Sequence, residues 1–450
     1  MYESTPDTIF ALASGAGLSG VAVVRISGPQ CRIAMERMSG DVPPARMAQL
    51  RTIKHPYTDD IIDEALVLYF QGPASFTGED VAEFHLHGGR AVVDCCLAAL
   101  GALEGTRLAE PGEFTRRAFD NGKLDLTQVE GLADLIAAQT DAQRRQALRV
   151  ASGEAGAIFN GWRDQLIYCL AFLEADIDFV EEDDVPEDLP VQVIDNLQKL
   201  YGEISGYLDD PRQSEKLREG FRVAIAGIPN VGKSSLLNRL AMRDVAIVSD
   251  IAGTTRDVVE IYFDLAGLPV VLSDTAGLRD TADEIEYMGV VRAQKAISDA
   301  DLVIWLADDR GIWPPESLNK FDSDALWVLN KADLAETRSI SGPQSQSVLA
   351  VSAKDGSGLR ELLDELTEKA QNSLDGVESA LITRRRHREA MEQCRKYLAA
   401  GLNGLQSGAY ESELVAENVR LAARMLGRIT GRIDVEDLLD TIFSSFCVGK

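Results

Sequence analysis

The sequence predicts a multi-domain protein of mixed α/β and α class, with an N-terminal α+β domain, a helical domain, and an α/β domain with a mostly parallel sheet inserted into the helical one. Three observations carry this prediction. At 450 residues the chain is too long for a single hydrophobic core, so roughly two to four domains are expected. From Phe221 onward short apolar runs (FRVAIAG, VVEIYFDL, LPVVLSD, DLVIWLAD, ALWVLNK, SVLAVSA) alternate with helical stretches, the pattern of a parallel sheet covered by helices. On both sides of that region apolar residues recur at helical spacing.

In chain order, residues 1–118 mix β-branched runs (GVAVVRIS at 20–27, EALVLYF at 64–70, VAEFHLHGG at 81–89) with helical stretches such as AVVDCCLAAL, which makes a compact α+β domain. Helices follow over 119–215, in LTQVEGLADLIAAQTDAQRRQALRVASG and WRDQLIYCLAFLEADIDF, interrupted by the acidic stretch VEEDDVPEDLP at 180–190, a solvated loop. Residues 216–375 form the α/β domain, and 376–450 return to helices before ending in FCVGK. The simplest architecture joins 119–215 and 376–450 into one discontinuous helical domain around the insertion.

Composition narrows the function classes. No apolar run approaches the ~18 residues of a membrane span, and MYESTPDTIF lacks the basic and long apolar regions of a secretory signal, so a cytoplasmic location is expected. The six cysteines (Cys31, Cys95, Cys96, Cys169, Cys394, Cys447) show neither metal-ligand spacing nor a disulfide framework. A formal net charge of -27 repels bare phosphate backbone, so a nucleic-acid partner would need a local basic patch or a second protein.

GIPNVGKS, from Gly227 to Ser234, fits G-x-x-x-x-G-K-[ST] and lies between an expected strand and an expected helix. Gly227 and Gly232 let the backbone wrap a phosphate chain at a helix N-terminus, so Asn230, Val231, Gly232, Lys233, Ser234 and Ser235 are candidate phosphate contacts. Lys233 supplies a point charge and Ser234 a hydroxyl for Mg²⁺. DTAG follows at Asp274, Thr275, Ala276 and Gly277, placing a carboxylate near the metal and a glycine N–H near a γ-phosphate. In NKAD, Asn330 and Asp333 match the guanine edge while Lys331 lies along the base, and Ser352, Ala353 and Lys354 supply the accompanying loop. A carboxylate that accepts two N–H bonds suits guanine and leaves adenine unpaired. The ordered set predicts a Ras-like GTP-binding and GTP-hydrolysing domain.

The position after DTAG is Leu278, which cannot orient a water as the glutamine of many small GTPases does. SDIAGTTRD, from Ser249 to Asp257, offers Thr254 and Thr255 as switch hydroxyls, with Thr255 the better Mg²⁺ ligand candidate. Arg256 beside them is a candidate cis arginine finger, although a surface arginine adjoining Asp257 is the commoner reading.

GIPNVGKSS, SDIAGTTRD, DTAGLRDTADEIE, SFTGEDVAEFHLHGG (75–89), GEFTRRAFDNGKLDLTQVEGLADLI (112–136) and the terminal FCVGK together resemble the tRNA-modification GTPase MnmE (TrmE) family over essentially the whole chain. The resemblance implies a potassium-activated GTPase, with K⁺ bound by side-chain oxygens of Asn230 and Thr254 and backbone oxygens of Ser249 and Ile251, and with Glu286 as the acid that orients the water. Read without it, Glu286 is one acid among many in a helix N-terminal turn. It also implies tetrahydrofolate binding (a 5-formyl or 5,10-methylene form) and homodimerisation through the N-terminal domain, with folate contacts at Arg25, Glu83, Lys123 and Lys450. The implied activity is addition of an aminomethyl-type (carboxymethylaminomethyl) group to C5 of the wobble uridine of certain tRNAs. The implied partner is FAD-containing MnmG, in a heterotetramer.

Two features stay open at this level. Cys447 is either an inert thiol on a frayed tail or a nucleophile, and no histidine adjoins it to activate it. His85 and His87 share one strand face, which suits a metal, but no third ligand is in view and a hydrogen-bonding role is the commoner reading. Two rival classes are a ribosome-assembly GTPase, which would carry a basic RNA-binding module, and a membrane-remodelling GTPase, which would carry an amphipathic basic helix; the sequence has neither signal.

Overall fold

The computed structural model describes residues 7–178, 189–209, 213–242, 246–247, 260–274, 295–308, 310–313, 324–334, 347–374, 382, 384–406, 412–433, 436–444 and 446–449. They fall into two compact units, Met1–Ala133 with Ala151–Leu189 and Asn403–Lys450, and Asp134–Val150 with Pro190–Leu402.

The first unit is built on a six-stranded sheet of β1 (Thr8–Leu12), β2 (Ser19–Ser27), β3 (Gln49–Lys54), β4 (Ile61–Phe70), β5 (Val81–Gly88) and β6 (Thr106–Leu108), in the order β3-β4-β5-β2-β1-β6. Its pairs are antiparallel except β1 with β6. Period-two alternation decides which face is covered. Val24, Ile26, Ala65, Val67, Ala82, Phe84 and Leu86 point to one face and are buried. There they meet α1 (Cys31–Ser39) and α2 (Arg90–Gly101), whose Cys31, Ala34, Met35 and Met38 and whose Cys96, Ala99 and Leu100 recur at helical spacing. The interleaved Arg25, Glu83 and His85 are left on the opposite face, where the second candidate site lies.

Helices α3 (Glu113–Asp120), α4 (Leu126–Ala137, as far as Ala133), α6 (Glu154–Asp178), α12 (Ser412–Thr430) and α13 (Glu436–Ser444) follow. The start of α4 is a capping box. Asp125 Oδ1 accepts from the Gln128 N–H at 2.9 Å, and Gln128 Oε1 accepts from the Asp125 N–H at 3.0 Å. Leu126 and Val129 pack with Leu439, Phe443 and Phe446, which anchors the C-terminal segment. Residues 446–449 are therefore anchored: Pro111 and Val448 form a β-bridge, and the Gly112 N–H donates to the Cys447 carbonyl at 3.5 Å.

The second unit holds a seven-stranded sheet of β7 (Phe221–Gly227), β8 (Ala246–Ile247), β9 (Glu260–Leu265), β10 (Leu268–Asp274), β11 (Leu302–Ala307), β12 (Asp324–Leu329) and β13 (Val348–Ala350). The order is β13-β12-β11-β7-β10-β9-β8, parallel except at β9 and β8. The inner strand β11, beside the central β7, is buried at every residue, as an unbroken apolar run requires when helices cover both faces. One face packs on α9 (Lys233–Ala241) and α10 (Leu359–Leu374); the other carries Ile297 and the stacked Trp305 and Trp327. Also in this unit are α5 (Asp141–Ala151, all but its last residue), α7 (Leu189–Leu208, all but its first), α8 (Gln213–Glu219) and most of α11 (Arg385–Gln406). Ala142 of α5 joins the core of the sheet, and its N–H donates to the Gly267 carbonyl at 3.2 Å.

Gly112, at φ 69, stands immediately before α3, and an added Cβ would lie 2.5 Å from the Phe443 carbonyl oxygen. Gly112→Ala is expected to destabilise the first unit by about 2–4 kcal/mol in chemical denaturation, the left-handed penalty plus the clash. Gly122→Ala, at φ 66 with open space around it, should cost only about 1 kcal/mol. Equal losses for the two would contradict the packing of the tail helix on Gly112.

Candidate active site

The nucleotide motifs occupy the carboxyl ends of the parallel strands, where order reverses around β7 and an open α/β sheet leaves a crevice. The loop after β7 turns through Asn230 at φ 64 and Gly232 at φ 98, and α9 begins at Lys233. Gly232 is required twice over, because a Cβ there would also sit 2.3 Å from Asn330 Nδ2. Lys233 is 7% exposed, and its Nζ donates to the carbonyls of Gly227 and Ile228 at 2.9 and 3.0 Å. Burial pushes its pKa below that of an ordinary lysine, with Asp274 opposing. The ammonium is thus held inside the phosphate loop.

The Ser234 hydroxyl donates to Asp274 Oδ2 at 2.6 Å, joining the start of α9 to the end of β10. These are two hard oxygen donors side by side, the set that suits Mg²⁺. Ser235 follows on α9, and Val231 is buried in the core.

The base-recognition motifs converge from β12 and the loop after β13. Asn330 is buried, donates from Nδ2 to the Val231 carbonyl at 3.0 Å and accepts from the Ala353 N–H at 3.1 Å. Its side chain therefore braces the phosphate loop against the base loops, a role that the motif alone does not reveal. The fully buried Ser352 donates to Asp333 Oδ1 at 3.0 Å, and Lys354 lies 3.7 Å from Asp333 Oδ2. Lys331 stands at φ 64 and pairs with Asp308 at 2.8 Å.

Asp308 and Arg310 were missed by sequence reasoning. Asp308 ends the apolar run of β11 and is fully buried, with Arg310 donating to it from Nε and Nη2 at 3.0 Å each. Burial pushes its carboxyl up, but the hydrogen bonds from Arg310 and Lys331 prevail and hold it at about 2. The available signal was a carboxylate closing a buried strand at the ligand edge of the sheet.

Ser249, Ile251, Thr254, Thr255, Arg256, Thr275, Ala276, Gly277, Glu286 and Lys450 lie outside the described residues.

The first unit brings Arg25 and Glu83 together on its open face: Arg25 Nε and Nη2 donate to Glu83 Oε1 at 3.0 and 2.9 Å. The guanidinium lies 5.4 Å from the ring centre of Phe76 and 5.8 Å from that of Phe114, two aromatic neighbours the sequence reading did not single out. Lys123 donates to the Pro73 carbonyl at 3.0 Å and Asn121 to the Thr77 carbonyl at 2.7 Å, so both hold the loop that carries Phe76. Cys447 is exposed on the anchored tail beside Gly112, two residues before Phe114. His85 and His87 each engage a carboxylate, Glu83 at 3.3 Å and Asp63 at 2.8 Å respectively. Cys31, Cys96, Cys169 and Cys394 are buried, which pushes their thiols up, to about 12 for Cys394.

Two family models match the chain: the GTP-binding protein TrmE N-terminus over residues 8–123 and the MnmE helical domain over residues 126–447. A relative from Parvibaculum lavamentivorans described as tRNA modification GTPase MnmE is 50% identical over 447 residues, covering 99% of this chain and 100% of its own. One of the same description from Brucella anthropi is 48% identical over 449 residues, covering 99% of each. Among solved structures, the G domain of the T. maritima FeoB iron transporter aligns with 33% of this chain and 98% of its own at 27% identity, with a TM-score of 0.26.

Asp333→Asn is expected to weaken GTP and GDP binding by about a hundredfold or more, and to favour xanthosine nucleotides, whose C2 carbonyl suits an amide donor. Competition with a fluorescent nucleotide measures it, and an unaltered guanine preference would remove Asp333 from base selection.

Proposed function

The chain belongs to the MnmE family of tRNA modification GTPases, and from that premise we propose that GTP hydrolysis in the second unit drives modification of C5 of the wobble uridine of certain tRNAs. The observation that carries the nucleotide half is the convergence of the buried Lys233, the Ser234–Asp274 pair and the Ser352–Asp333 pair at one edge of one sheet. Lys233 and the amides of the 230–235 loop hold the phosphates, while Asp333 and Lys331 select the base, with Ser352, Ala353 and Lys354 behind them. Mg²⁺ held by Ser234 and Thr255 supplies charge neutralisation at the terminal phosphates. Thr275, Ala276 and Gly277 continue the phosphate contacts, and Glu286 orients the water that Leu278 cannot. K⁺ held by Asn230, Ser249, Ile251 and Thr254 supplies the positive charge of an arginine finger.

The Arg25–Glu83 pair beside the partly buried Phe76 supports the second half of the reading: a flat conjugated ring with carboxylates finds one accessible aromatic ring, a cation and an acceptor. Arg25, Glu83, Lys123 and Lys450 would hold a tetrahydrofolate derivative, which supplies the one-carbon unit. The division into an N-terminal folate-binding and dimerisation domain (1–118), a helical domain (119–215 with 376–450) and an inserted GTPase domain (216–375) belongs to the same proposal. So do the homodimer, the FAD-containing partner MnmG and a cytoplasmic setting. Among the described residues no helix is long and apolar enough to cross a membrane.

Mass spectrometry of wobble nucleosides after gene loss is expected to show the modified uridine gone; its persistence at normal levels would favour an RNA-binding GTPase that modifies nothing. Hydrolysis is expected to run about tenfold faster or more in K⁺ than in Na⁺ at equal ionic strength, and Asn230→Ala to abolish the difference. Equal rates in the two salts for the parent protein would count against the ion site.

A further inference from the structure

Directly after strand β11 stands a carboxylate that none of the nucleotide motifs includes. Asp308 has no solvent exposure, and a buried carboxylate is tolerated only when cations and donors satisfy it. Two cations do so from different segments. Arg310 grips it with a two-point fork, and Lys331, the second residue of NKAD, closes on Oδ2 at 2.8 Å. Arg310 Nη2 also lies 3.5 Å from the carbonyl of Pro229, inside the phosphate loop. Lys331 sits in the left-handed region at φ 64, a conformation that a non-glycine residue keeps only when its surroundings hold it there. Asn330 beside it is fixed by a separate tie to Val231. The base-recognition loop is thus joined to the phosphate loop twice, once through the amide of Asn330 and once through two partly exposed cations that meet on the buried Asp308, a residue outside the motifs.

We propose that Asp308 is a positioning residue for the guanine nucleotide: it holds the Lys331 side chain along the base and, through Arg310, keeps the base loop in register with the phosphate loop. The inference rests on the reading of NKAD as the guanine site. Asp308 touches neither base nor phosphate in this role; it acts through Lys331 and Arg310. Losing the carboxylate frees the Lys331 stem to leave the base plane without removing any group from the phosphates. Affinity should fall, and the chemical step should be largely spared.

The test compares Asp308→Asn with the parent full-length protein in steady-state GTP hydrolysis and in GDP binding. KM for GTP and Kd for GDP are expected to rise about ten- to a hundredfold, the loss of one charge-assisted contact set, while kcat at saturating GTP changes by less than about threefold. Arg310→Ala removes a half-exposed side chain, so it keeps the question open to test if Asp308→Asn folds poorly, and it should weaken GDP in the same direction. In a Lys331→Ala background Asp308→Asn is expected to weaken GDP little further, because both changes release the same contact. Fully additive losses, or an unchanged KM in Asp308→Asn, would overturn the proposal, as would kcat falling in step with the melting temperature of the nucleotide-free protein. Asp333→Asn separates the two levels: if it leaves GDP affinity intact the guanine-site reading itself fails, whereas its loss of affinity beside a silent Asp308→Asn defeats only the positioning role.

Discussion

An ammonium group taken out of water has to be held by oxygen atoms, and the nucleotide-binding unit is arranged around that requirement at Lys233. The carbonyls that hold it belong to Gly227 and Ile228, so the strand must end, turn through left-handed Asn230 and Gly232, and restart as a helix within a few residues. A turn that tight leaves its own amides pointing into the loop, which is what makes it a cradle for anions. The positive charge and the row of N–H groups are consequences of one backbone path. Asp274, which opposes the burial penalty on Lys233, also accepts the hydroxyl of Ser234, so the end of β10 cannot shift without disturbing the phosphate loop.

The same logic extends across the sheet edge. Three parallel strands, β7, β11 and β12, deliver Gly227, Asp308 and Asn330 to neighbouring positions because their registers place their carboxyl ends side by side. Each of these ends is tied to another by a side chain: Asn330 to Val231, Lys331 to Asp308, and Arg310 to Asp308 with a reach toward Pro229. Separate motifs in the sequence become one polar assembly with few independent parts.

In the first unit the organising constraint is alternation along β2 and β5. Burying Val24, Ile26, Ala82 and Phe84 leaves Arg25 and Glu83 on the other face, opposite one another in register. A guanidinium there needs a partner and a surface; Glu83 supplies the first, and the rings of Phe76 and Phe114 supply the second. The C-terminal segment completes this part of the unit, since Phe446 packs into the helical core and Val448 bridges to Pro111 just ahead of α3.

The nucleotide site was legible in the sequence because its chemistry depends on local spacing. A strand, two glycines, a lysine and a hydroxyl within eight residues can bind phosphate in only a few ways, and NKAD with SAK is read as the base-selecting pair from the same short-range spacing. The α/β texture from Phe221 and the alternation in the N-terminal strands were readable for the same reason, since each is a period written along the chain. Contacts between residues far apart in sequence were not readable. Nothing in WLADDR announces that Asp308 would be buried under Lys331, and nothing in FCVGK says that the tail would be pinned rather than frayed. Asn330 is read from the motif as a base ligand; its bracing contacts could not be read there, because its partners at Val231 and Ala353 are 99 and 23 residues away. Residue types and spacing determined which chemistry this protein carries. Only tertiary structure decided which side chains hold that chemistry in place, because burial and charge pairing depend on neighbours that chain order does not record.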